Sequence, residues 1–147
     1  MAGGKKYGVY IAPNAKGALK ARAAVRAINR QAGADVAKVV KNRAKADAIV
    51  RLTNKDLAGH SAVTYSQSEG RDRIAITRSF VRKSSPGMNR NLVAHEVGHG
   101  LGLKHPPARV VEKKPFNLMN PAGTIGINLT KKQSRKIRKT KKTGGYK

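Results

Sequence analysis

The stretch His95-Glu96-Val97-Gly98-His99-Gly100-Leu101-Gly102-Leu103-Lys104-His105 decides the fold of this chain. It reads HExxHxxGxxH. On a helix His95 and His99 lie one above the other with about 6 Å of rise between them, so both imidazoles can bind one cation. Gly102 falls where that helix should end. A left-handed residue there, a conformation that glycine takes without strain, turns the chain back and lets His105 supply a third ligand. Three neutral imidazoles leave the fourth position of a tetrahedral Zn²⁺ to water, which is the arrangement of catalytic rather than structural zinc. Glu96 adjoins a ligand and is placed to contact that water. The expectation is one catalytic zinc ion on His95, His99 and His105, with Glu96 as general base of peptide-bond hydrolysis.

Just upstream, Ser85 is a fair N-cap and Pro86 suits the first helical position, so the motif-bearing helix should run from there to about Leu101. Earlier still, YGVYIA (7–12) is β-prone and closed by Pro13. Ala15 to Ala32 then carries Ala18, Ala21, Ala24, Val25, Ile28 and Ala32 on one arc. Lys16, Lys20, Arg22, Arg26 and Arg30 take the other, giving a basic amphipathic helix stopped by Gly33. VAKVV (36–40), DAIVRL (47–52), SAVTYSQ (61–67) and DRIAITRSF (72–80) are short, β-branched and set apart by turn residues. Downstream, an irregular stretch to about Ile127 precedes Thr130 and Gln133, a capping box that opens a last helix from Lys131 to about Thr140. Strand, helix, then a run of strands predicts a mixed sheet with the long helix on one face.

Composition narrows the chemistry. The chain has no cysteine, which removes disulfides, cysteine zinc fingers and thiol nucleophiles, so any metal or catalytic site rests on histidine and carboxylates. The motif uses three of only four histidines and one of only seven acids. At 147 residues and 39% hydrophobic content one domain with a real core is expected, and no apolar run approaches the roughly 20 residues of a membrane span. The opening residues lack the apolar core of a signal peptide, and neither a signal peptide nor a propeptide is expected. With 32 Lys+Arg against 7 Asp+Glu the net charge is +25, which predicts attraction to polyanions. Six aromatics (Tyr7, Tyr10, Tyr65, Phe80, Phe116, Tyr146) provide little for a base-stacking platform, so contact with nucleic acid would run mainly through phosphates.

NLVAHEVGHGLGLKHP (91–106) resembles the zinc helix of the metzincin clan of zinc endopeptidases, and most of all its matrixin-like members. Asn117-Leu118-Met119-Asn120-Pro121 is similar to the matrixin Met-turn. The resemblance implies an α+β, metzincin-like (zincin) catalytic domain over residues 1–140; the acid-free, lysine-rich composition after Lys131 predicts a basic disordered tail over 141–147. The resemblance also implies a mixed, mostly parallel twisted sheet with a long helix, a zinc helix and a C-terminal helix. Met119 would be an apolar floor under the metal and not a ligand. The antiparallel edge strand before the zinc helix would pair with an extended substrate. Ser61 to Gln67, centred on Ala62, Val63, Thr64 and Tyr65, is the candidate, with a plain sheet edge as the equal alternative. Departures leave the subfamily open. Position 106 is Pro instead of Ser, Asp or Glu, and no Tyr stands two residues after Met119. His60 and Asp56 are too few for a second metal site, and His60 reads as a loop histidine.

The expected function is therefore that of a monomeric zinc endopeptidase acting on protein or peptide substrates, with no membrane partner and a cytoplasmic or virion-associated location. Two alternatives use the charge. One is a metalloprotease held on nucleic acid through its basic surface; the other is a non-enzymatic, zinc-stabilised virion or nucleoid protein, whose zinc would have a fourth protein ligand.

Overall fold

A computed structural model describes residues 6–66 and 70–143 of the 147-residue chain. Its strands are β1 (Tyr7–Ile11), β2 (Ala37–Val40), β3 (Ala48–Thr53), β4 (Ala62–Tyr65) and β5 (Asp72–Thr77). They form one sheet in the order β2-β1-β3-β5-β4. β1 runs parallel to β2 and β3, and β3 parallel to β5. β4 is antiparallel to β5 and forms the outer edge. The sheet is thus mixed and mostly parallel, as expected.

Side chains alternate across the pleat. Tyr7, Val9, Val50, Leu52, Ile74 and Ile76 are buried in the core, while Lys38, Arg51 and Arg73 on the alternate positions are exposed. The core is closed by α1 (Ala21–Ala32), which contributes Ala24, Val25 and Ile28, and by α3 (Pro86–Gly100), which contributes Leu92, Val93 and Val97. Burying such a side chain contributes about 1.5–3 kcal/mol. The short α2 (Arg78–Lys83) and α4 (Ala108–Lys113) flank α3 in sequence, and α5 (Lys131–Thr143) docks Ile137 into the same core.

Three local expectations are corrected. The first helix begins at Ala21 and not at Ala15, because Pro13–Ala15 forms a 3-10 turn and Gly17 takes a left-handed φ of 78°. Asn89 of α3 then fixes the intervening loop, accepting from the Lys20 N–H at 2.8 Å and donating to the Ala18 carbonyl at 2.9 Å. The strand expected over 72–80 stops at Thr77, whose hydroxyl caps α2 by accepting from the Phe80 N–H. The stretch expected to be irregular contains α4. Both local caps read from sequence are present: Ser85 accepts from the Met88 N–H, and Thr130 and Gln133 bond reciprocally. α5 continues to Thr143, through the first residues expected as tail; residues 144–147 lie outside the described residues, as does Gln67.

Candidate metal centre

Ser85 and Pro86 start α3, and a Schellman turn ends it. The Leu103 N–H bonds the Gly98 carbonyl and the Gly102 N–H the His99 carbonyl, with Gly102 at φ 97°. That turn returns the chain over the helix end and delivers His105. Its Nε2 lies 3.2 Å from those of both His95 and His99, which are themselves 3.1 Å apart. A tetrahedral zinc with bonds of about 2.0–2.1 Å spans nitrogens about 3.3 Å apart, so the spacing fits.

The protonation pattern fits as well. His95 Nδ1 lies 2.7 Å from the Leu118 carbonyl and His99 Nδ1 lies 2.9 Å from the Leu103 carbonyl. Carbonyl oxygens only accept, so both Nδ1 atoms carry the proton and both Nε2 atoms present bare lone pairs to each other. A cation between them resolves that repulsion. Burial pulls the His95 imidazolium down to about 4; the Leu118 bond opposes this, and His99 and His105 add to it. Burial also lowers His99 and His105, so all three imidazoles are neutral and ready to coordinate. Among the described residues these three form the one such group of metal-ligating side chains; His60 and Asp56 build no second site.

Glu96 is almost wholly buried beside the cluster, its Oε2 3.9 Å from His95 Nε2. Because His95 is neutral, this is no ion pair. Burial pushes the Glu96 carboxyl up to about 7, against the pull of the Thr64 hydroxyl and of His60. Thr64 Oγ1 sits 2.7 Å from Glu96 Oε1 and 3.1 Å from the Glu96 carbonyl oxygen. This contact ties the sheet edge to the helix and was invisible in sequence, since the two residues are 32 positions apart.

Met119 lies fully buried against α3. A Cβ at Gly98 would come within 2.6 Å of its sulfur, so glycine at that position is what lets the turn over 117–121 pack against α3. A cleft of about 680 Å³ opens above. Ala62, Val63 and Thr64 form one wall, Pro121 and Ala122 another, and Glu96, His99 and His105 reach into it. His60 and Lys104 also line it, and among the described residues Glu96 is the one acid that does. Tyr65, expected with the edge strand, is not part of this wall; it faces a shallow hollow with Leu57 and Ala75.

The solved structure of archaemetzincin from Methanopyrus kandleri matches with a TM-score of 0.57 at 12% identity, over 91% of this chain and 94% of that one. At that identity the likeness is one of fold. Fold and three-histidine cluster together define a metzincin-type metallopeptidase. Residues 5–106 match the metallo-peptidase family M12B, reprolysin-like, and the chain belongs to that family. No curated protein matches the sequence significantly. Among the described residues no helix is long and apolar enough to cross a membrane.

Proposed function

We propose that the chain is a zinc-dependent endopeptidase in which Nε2 of His95, His99 and His105 hold one Zn²⁺ and Glu96 is the general base. One observation carries this reading: three imidazole nitrogens converge beside a buried carboxyl in an open cleft walled by a strand edge. The bound ion supplies Lewis acidity, acidifying a water and polarising a carbonyl. The proton work falls to Glu96. Thr64 occupies Oε1, so Oε2 takes a proton from the attacking water and hands it to the leaving amine nitrogen. A carboxyl near 7 accepts and releases that proton at little cost at neutral pH.

The free edge of β4 suits an extended peptide added as a further strand, with main-chain hydrogen bonds along Ala62 to Tyr65. Met119 serves as the apolar floor, and the turn over 117–121 together with the zinc helix supports a matrixin-like variant within the clan. The unit doing this runs through the end of α5 at Thr143, a little past the boundary at 140 expected from the sequence. Three donors without a fourth protein ligand among the described residues support a catalytic over a structural site. The net charge of +25 favours acidic protein substrates.

The test is digestion of an unbiased peptide mixture by zinc-loaded protein and by Glu96→Gln at equal metal content, read by mass spectrometry. Cuts made by the first and absent from the second support the reading. Identical peptide maps from the two would sink it.

A further inference from the structure

A second cleft, of about 640 Å³, opens where the carboxyl ends of β1 and β2 meet the start of α1, and it shares no lining residue with the histidine cleft. Ligands of open parallel sheets bind outside the carboxyl ends of the strands. Lys16, Lys20, Arg22, Arg26 and Lys41 line this one, with no acid among the described residues of its lining. All five are exposed, and none has an ion pair among the described residues. Arg22 stands in the first turn of α1 and Lys20 at its N-cap, where the helix dipole disfavours cations; no acid lies in that turn, and the Asn89 amide oxygen that accepts from the Lys20 N–H is uncharged. The charges therefore oppose the local fold unless an anion sits among them.

The floor is not charged. Tyr10, Leu19 and Val39 give it an apolar surface. A hollow with an apolar floor and a cationic rim matches a nucleotide, whose base has an uncharged face and whose phosphate does not. A bilayer fits less well. Among the described residues the exposed large apolar side chains are Tyr65, Met88, Phe116 and Ile125, and none of them borders this cleft to enter a membrane. Five cations spread around one rim exceed the needs of a single phosphate and suit the successive phosphates of a strand, in keeping with a net charge of +25.

We propose that this cleft docks single-stranded nucleic acid, one base lying on Tyr10 and Leu19 while flanking phosphates engage Lys16, Lys20, Arg22, Arg26 and Lys41. Docking here does not depend on the peptidase reading of the histidine site.

The experiment is fluorescence anisotropy of the whole protein with a labelled oligothymidylate of about 12 nucleotides across a salt series. Lys20→Ala/Arg26→Ala is compared with Arg109→Ala/Lys113→Ala, which removes the same charge from α4, outside the cleft. All four side chains are exposed, and thermal melts verify that both variants fold. The cleft pair should weaken binding about tenfold near physiological salt and lower the slope of log K against log salt by about two. The α4 pair should change affinity by less than about twofold. Tyr10→Ala should weaken binding to the single strand and leave binding to a duplex of equal length unchanged. Equal losses from the two pairs would overturn the site. Duplex bound as tightly as single strand would overturn the seated base. Full displacement by ATP at matched nucleotide concentration would replace the strand with a mononucleotide, and cleft-dependent binding to phosphatidylglycerol vesicles without oligonucleotide binding would replace it with a membrane.

Discussion

The two long helices reach the same core by opposite means. α1 presents Ala24, Val25 and Ile28 inward and Arg22, Arg26 and Arg30 outward, so a single apolar stripe accounts for its place. α3 has no such stripe. Asn89, Asn91, His95 and Glu96 are buried on it together with Leu92, Val93, Ala94 and Val97. A buried polar group costs stability unless it is hydrogen-bonded, and each of these four has a partner on another element: Ala18 and Lys20, Thr124, Leu118 and Thr64 respectively. One helix is held by what it hides from water, the other by what its neighbours offer it. The second kind is where chemistry can be kept in a dry interior.

That contrast can be broken from either side. On α3, Glu96→Gln should lower peptide turnover by about 10²- to 10⁴-fold while metal content and melting temperature stay at the unsubstituted values; a parallel loss of metal would show Glu96 to be structural. On α1, Ile28→Ala, at a site 1% exposed, should destabilise the fold by about 2–5 kcal/mol in chemical denaturation, with turnover per folded molecule unchanged. A turnover defect there would mean the two helices are not separable in role. Gly98→Ala sharpens the comparison, because its Cβ would press on the Met119 sulfur from within the helix that carries His95 and His99. Calorimetry should register a loss of about 1–3 kcal/mol, and competition with a chelator should show weaker metal binding. Unchanged metal affinity would dissociate the floor from the ion. Smallest of all, Arg30→Ala on the outer face of α1 should fall within about 0.5 kcal/mol of the unsubstituted protein.

How much of this was legible follows the same division. Ser85, Gly102, Thr130 and Gln133 act within a few residues of themselves, and each takes the local conformation its chemistry dictates. The spacing of the histidines likewise needs only one helix and one turn. The start of α1 was misplaced because the apolar period of Ala18 and Ala21 runs on through a loop that Asn89, about 70 positions later, holds in a different shape. Thr77 ends β5 by capping, and that choice is hidden inside a β-branched run. Thr64 was picked out as part of an edge strand, but its grip on Glu96 depends on strand order, which periodicity does not encode.

The bond from His95 Nδ1 to the Leu118 carbonyl has an evolutionary corollary. The proton position on His95 is decided by a backbone atom that all twenty amino acids possess, so the letter at 118 does not encode the bond; Leu118 itself is fixed for another reason, its burial in the core. Relatives could share this control with no common residue there, and a tally of matching letters would pass over it. The control at that point lies in a curve of the chain, and only coordinates can record it.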